Sequence, residues 1–331
     1  MNDRFDVPIC FFIFKRTSTL KRIVERVRAV NPQKIYLISD GPRTEEESED
    51  VKKCRQYMES LIDWECDIEK IYAESNIGVY ENIAGGAKKV LRKERYAIFL
   101  EDDNLPEITF FGFCKELLEK YESNERVFWI CGTNYLQKYQ PFDGSSYVFT
   151  QHLMPCGWAS WKGKFEKYYD GNLNLLDNPD RIKSMKHRYT NQSLYKQQIE
   201  AAIQERHNYN VRGRYASWDF QMAVSIRDAN LLGISPCNNQ IENIGVDEFS
   251  THGGSSIHNI MTKRFCTIKS YPLQFPLVHP QKQTVDTVYE KKVDKIILHP
   301  FPERARRWVA RHIKLLLGKD KYASLKKDKV L

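Results

Sequence analysis

Residues 101–103 read Glu-Asp-Asp, directly after the apolar run Tyr96-Ala97-Ile98-Phe99-Leu100. Three adjacent carboxylates repel one another, and each is costly to draw out of water. Such a cluster is either solvated surface or a seat for a cation. Mg²⁺ and Mn²⁺ take hard oxygen ligands, commonly one or two carboxylates together with phosphate oxygens. A core strand that stops in acids is therefore what a divalent cation carrying a diphosphate requires.

The elements that would position these acids are written along the first half of the chain. Pro8–Phe14 and Lys34–Ser39 are strand-like apolar runs, and Thr17–Val30 between them carries Leu20, Ile23, Val24 and Val27 at helical spacing. Asp67–Tyr72, Tyr96–Leu100 and Val127–Cys131 continue the strands; Thr44–Leu61, Val79–Leu91 and Pro106–Tyr121 read as helices. Strand and helix in alternation predict an α/β fold with a mostly parallel sheet covered by helices on both faces. Ligands of such sheets bind beyond the carboxyl ends of the strands. Asp40 and Glu101–Asp103 both fall there. The second half is less regular: Thr150–Trp161 is rich in aromatics, Asn191–His207 and Ser217–Ala229 look helical, and Asn238–Ser256 reads as a long polar loop.

Six stretches, taken in chain order, resemble nucleotide-sugar-dependent glycosyltransferases of the GT-A (Rossmann-like) fold. They are Phe14-Lys15-Arg16, Ser39-Asp40-Gly41, Phe99-Leu100-Glu101-Asp102-Asp103 with Leu105-Pro106-Glu107, Pro155-Cys156-Gly157-Trp158, Trp218-Asp219 and Ser250-Thr251-His252-Gly253. The pattern is similar to the N-acetylglucosaminyltransferase I type and related bacterial polysaccharide glycosyltransferases, and spans roughly residues 8–256. The resemblance implies a manganese or magnesium ion on Asp103, with His252 a further candidate ligand. It implies donor contacts from Arg16, Asp40 (uracil), Asn76, Glu101, Asp102, Gly157, Trp158, Trp218 and Thr251, and a general base in Asp219. An inverting transfer from a UDP-sugar to a glycan or lipid-linked saccharide, in surface polysaccharide synthesis, follows from it, with UDP-N-acetylglucosamine the leading donor and a UDP-hexose the other.

Each residue also has an ordinary use. Asp40 suits a turn cap, Ser75-Asn76 a helix cap, and Trp158, Trp161 and Trp218 a core. His252 would also serve as a plain loop histidine. The competing functions are a metal-dependent phosphohydrolase using the same acids and a non-catalytic membrane-associated binding protein.

Composition sets the outer bounds. The 331 residues are 41% hydrophobic and 28% charged, a globular composition. The eight cysteines show no metal-ligand spacing, which suits reduced, buried thiols. Met1–Pro8 lacks a signal-peptide layout, so a cytoplasmic location is expected. The net charge of +8 is uneven: Glu303–Leu331 holds ten basic and three acidic residues, which leaves the remainder close to neutral and argues against nucleic acid as partner. Pro302–Lys319 reads as a basic amphipathic helix, suited to peripheral contact with the inner face of the cell membrane through residues 303–329 or to docking on the body. The expected division is a transferase domain over 1–290 and a basic tail over 291–331. Within the former, 1–135 is the nucleotide-binding half and 136–270 the acceptor and sugar half.

Overall fold

The computed structural model describes residues 4–246, 260–266 and 268–322. Strands β1 (Ile9–Ile13), β2 (Lys34–Ser39), β3 (Asp67–Tyr72) and β4 (Tyr96–Glu101) lie parallel, in the order β3-β2-β1-β4. Helices α1 (Leu20–Arg28) and α2 (Glu45–Leu61) make the first two crossovers. The third runs through α3 (Gly78–Tyr80), a π-helical turn over Glu81–Gly85 and α4 (Gly86–Lys93). After β4 come β5 (Asn104–Pro106), α5 (Thr109–Lys120), β6 (Val127–Cys131), β7 (Tyr147–Thr150), β8 (Trp158–Trp161) and α6 (Lys164–Tyr168). Helices α7 (Pro179–Met185), α8 (Gln192–Arg212) and α9 (Asp219–Asp228) precede β9 (Leu232–Pro236), β10 (Ile241–Asn243), α10 (Ile260–Cys266), α11 (Thr287–Ile297) and α12 (Phe301–Leu316).

The full sheet has the order β3-β2-β1-β4-β8-β6-β9-β7, with β8 and β7 running against the other six. This is the expected mostly parallel α/β architecture. Strands β1 and β6 are apolar at every position, and β4 up to Leu100, because both faces are covered. Phe11, Ile13, Leu37, Ile98 and Leu100 face α1 and α5, while Phe12, Ile38, Ala97 and Phe99 face α4 and a cluster of aromatic rings. Phe12 pairs with Ile38 on one side and with Glu101 on the other, so the segments after β1, β2 and β4 leave the sheet along one edge.

Two features depart from the expected organisation. Residues Asn238–Ser256, expected as a loop, include β10, which pairs antiparallel with β5. The expected boundary at 290/291 falls inside α11, whose Tyr289 and Val293 are wholly buried in the core. The body therefore continues through that helix, and α12 follows it.

Candidate functional site

The acidic turn sits at the end of β4. Arg16, itself 5% exposed, reaches across from the end of β1: its Nη1 lies 2.5 Å from Asp102 Oδ1 and 3.4 Å from Asp103 Oδ2. Its Nη2 donates to the Gly245 carbonyl at 3.4 Å. Thr19 Oγ1 also donates to the Asp102 carbonyl. Burial drives the Asp102 carboxyl up to about 7; Arg16 opposes this and Asp103 adds to it. Glu101 is held well above the usual carboxylate range, first by burial, then by the charges of Asp103, Asp102 and Asp219.

Asn104, wholly buried, fixes the turn. Its Oδ1 accepts from the amides of Glu101 (3.2 Å) and Gly157 (2.8 Å), and its Nδ2 donates to Asp103 Oδ1 (2.6 Å). The chain just after β10 closes the other side, where the Ile244 amide donates to the Asp103 carbonyl at 2.9 Å. Gly245 lies so close that a Cβ there would stand 2.5 Å from the Cβ and Oδ2 of Asp103. Neither Asn104 nor Gly245 stood out in the sequence, since a lone Asn after acids reads as an ordinary turn.

Asp219 opens α9, and Ser217 Oγ donates to its Oδ1. The loop before it hangs on Glu205 of α8, whose Oε2 accepts from the amides of Ala216 (2.8 Å) and Ser217 (3.0 Å). Burial pushes the Glu205 carboxyl up. Burial holds the Tyr135 hydroxyl protonated, and the nearby Asp219 carboxylate adds to this. Glu205 was invisible in a polar helix with no motif.

The other expected residues are placed as follows. Asp40 is 6% exposed and fully engaged by its own chain: Oδ1 accepts from the amides of Gly41 and Ile77 (2.8 Å each), and Oδ2 from Asn76 Nδ2 (2.8 Å) and the Gly78 amide (3.0 Å). Asp40 and Asn76 thus tie the loops after β2 and β3 together. Gly157 takes φ +61°, and a Cβ there would meet Ile241 at 2.5 Å. Trp158 is buried between Phe99 (centroids 4.1 Å apart) and Trp129 (4.0 Å), so in this placement neither ring face is open to a ligand. Trp218 packs in the same cluster, 4% exposed. Thr251 and His252 lie outside the described residues.

A second charged group lies at the opposite end of the sheet, where β7 runs out antiparallel. His152, Glu290 and Asp294 offer ligand atoms within 4.8 Å of one another, a spacing a divalent cation can use. Arg227 already occupies the group: its Nη2 lies 2.9 Å from Glu290 Oε2 and 3.4 Å from His152 Nδ1. Glu290 Oε1 accepts from Thr150 Oγ1 and the Gln151 amide, both at 2.6 Å. His152 Nε2 lies 2.8 Å from Asp294 Oδ1, yet neither atom has a hydrogen-bond partner among the described residues. The guanidinium supplies positive charge to the group.

No family model and no curated protein matches the chain. Among solved structures it is similar to the UTP-bound UGPase from Acinetobacter baumannii, at 10% identity and a TM-score of 0.35, covering 72% of this chain and 89% of that one. A UDP-glucose pyrophosphorylase complexed with UDP-glucose gives 9% and 0.36, covering 72% and 94%. The mannosyltransferase PcManGT from Pyrobaculum calidifontis, in complex with GDP-Man and Mn²⁺, gives 10% and 0.33, covering 66% and 69%. Each of these proteins holds a nucleotide or nucleotide sugar; at such scores the likeness carries no argument about this chain.

Proposed function

We propose that the chain is an inverting, metal-dependent glycosyltransferase that moves a sugar from a UDP-sugar to a glycan or lipid-linked saccharide in surface polysaccharide synthesis. One observation carries the reading. A half-buried, charge-strained acidic turn at a strand's carboxyl end sits beside a buried arginine and within electrostatic reach of Asp219. Among the described residues Arg16 faces Asp102 and Asp103, and a divalent cation such as Mn²⁺ or Mg²⁺ would favour the ionised form of these hard oxygen donors. Asp103 would hold the ion, with Asp102 and Glu101 turned to the ribose and the donor sugar. Such an ion supplies neutralisation of the charge that gathers on a leaving diphosphate.

The chain's own residues do the rest. Asn104 and Gly245 hold Asp103 in place, and Arg16 orients Asp102. Asp219 takes the proton from the acceptor hydroxyl while that oxygen bonds to the anomeric carbon. The bond from that carbon to the diphosphate oxygen breaks in the same step, so the configuration inverts. UDP-N-acetylglucosamine is the leading donor and a UDP-hexose the other.

UDP release in the presence of Mn²⁺, with UDP-N-acetylglucosamine, UDP-glucose and UDP-galactose and a panel of saccharide acceptors, tests the reading. Asp219→Asn should lower kcat by about 10²–10⁴-fold while leaving UDP affinity unchanged. Near-wild-type turnover in that variant would remove Asp219 as base. Release of inorganic phosphate without sugar transfer would favour the phosphohydrolase.

A further inference from the structure

Helix α12 presents its apolar side outward. Phe301 is 73% exposed, Trp308 60%, Leu315 53%, Leu316 86% and Ile313 46%. At 100° per residue, Phe301, Trp308, Val309, His312, Leu315 and Leu316 form one stripe, with Ile313 at its edge. No residue of the helix is buried. The contacts that mount it on the body come from the opposite, polar side. Arg311 Nη1 lies 2.9 Å from Glu200 Oε2, and Tyr322, just beyond the helix, donates to the same oxygen at 2.9 Å. Gln204 Nε2 donates to the Tyr322 carbonyl at 3.3 Å, and Arg304 Nε is buried. An amphipathic terminal helix that serves its own fold buries its apolar stripe; this one is held by its charges and leaves the stripe to solvent.

We infer that α12 is a docking surface for an anionic lipid bilayer, with the stripe at the level of the acyl boundary. Charge selects this occupant. Between Glu303 and Lys321 seven basic residues stand against two acids, while the chain outside the 303–331 segment carries only +1. A second copy placed stripe to stripe would bring two such helices together against their own repulsion. A bilayer rich in anionic headgroups matches both halves of the helix at once: it takes Phe301 and Trp308 at the interface and the arginines among the headgroups. Arg306, with its side chain 74% exposed, flanks the stripe beside Ile313, while Arg307, 51% exposed, lies toward the other side; both pair with Glu303. Among the described residues no helix is long and apolar enough to cross a membrane, so the contact is a lateral one.

The mounting has a consequence for the site. Glu200 and Gln204, which hold α12 and Tyr322, are on α8, and Glu205 of the same helix carries the loop that ends in Asp219. A bilayer gripped by α12 is thereby fixed relative to the candidate base. The inference rests on α12 alone and does not depend on the transfer reading.

The test is co-sedimentation of the full chain with vesicles of phosphatidylcholine, alone or mixed with phosphatidylglycerol. Wild type should partition to the mixed vesicles, release with added salt and ignore phosphatidylcholine alone. Trp308→Ser with Leu316→Ser should lower partitioning by about tenfold or more, since each side chain contributes much of its burial on insertion. Both positions are exposed, so circular dichroism and UDP affinity should stay at the wild-type values. Arg306→Glu with Arg307→Glu should lower partitioning and flatten its salt dependence. Failure of the wild type to partition, or unchanged partitioning in the serine variant, would overturn the inference. So would a dimer seen by sedimentation in lipid-free buffer and abolished by the serine variant, which would make the stripe an interface between copies.

Discussion

Asn104 gives the sharpest handle on the acidic turn. Replacing it with alanine strips the acceptor from the amides of Glu101 and Gly157 and the donor from Asp103 Oδ1. The Gly157 amide is fully buried and the other two groups partly so. A buried polar group left unpaired costs about 1–3 kcal/mol, so the sum, with one full and two partial losses, is about 2–4 kcal/mol. Urea unfolding followed by tryptophan fluorescence reads this directly. Metal-dependent UDP affinity should weaken with it, because Asp103 loses its positioning bond. Asn104→Asp separates the two effects. Its oxygen keeps both amide bonds, but a carboxyl now faces Asp103 across the 2.6 Å where an amide stood. That carboxyl is pushed up by its neighbour, so it is most at ease protonated, and the variant loses stability relative to wild type as pH rises. A loss below about 1 kcal/mol in the alanine variant, with UDP affinity unchanged, would refute the assignment of Asn104 as the organiser of the turn.

Other predictions follow from the same geometry. Gly245→Ala sets a methyl 2.5 Å from Asp103, where ordinary contact begins at 3.4 Å, so the carboxylate must shift by close to 1 Å; kcat/KM should fall by about 10²-fold with a modest change in melting temperature. Arg227→Met leaves Glu290 and Asp294 buried with His152 and no guanidinium, and should cost about 3–5 kcal/mol in urea. In Asp103→Ala, which lacks the proposed ion at the acidic turn, EDTA should leave the unfolding midpoint unmoved, and a lower midpoint would mean that a metal shares the group. His299 is lowered to about 4 by burial and then by Arg307. Between the ordinary histidine range and pH 4 the unfolded chain holds a proton that the folded one does not, so stability falls as pH falls through that window. His299→Gln should remove that part of the slope when urea midpoints are compared at pH 7 and pH 4.5.

Much of the first half was legible because its physics is local. Ile9–Ile13, Lys34–Ser39 and Tyr96–Glu101 are buried on both faces and therefore read as unbroken apolar runs, and the acids mark a strand end without reference to anything distant. The helix over 301–316 was legible for the same reason, since its period is internal to it. What escaped depends on partners far along the chain. β8 enters the sheet between β4 and β6, pairing Phe99 with Trp158, and nothing in the Gly-Trp stretch announces that neighbour. The same pairing stacks Trp158, which suits either a donor contact or a core in the sequence, between Phe99 and Trp129. Asp40 was legible as a turn residue, but its four donors come from residues 41 and 76–78 across two loops. The group joining His152, Arg227 and Glu290 spans more than a hundred residues and leaves no local signature.

The central claim is that a metal-bound nucleoside diphosphate docks at the acidic turn. Calorimetric titration of UDP into the protein tests it most directly, first with Mn²⁺ and then with EDTA. The account predicts saturable binding with Mn²⁺, loss of that binding in EDTA, and loss in Asp103→Ala with the unfolding midpoint held near wild type. Equal UDP binding with and without metal, or unchanged binding in Asp103→Ala, would contradict it.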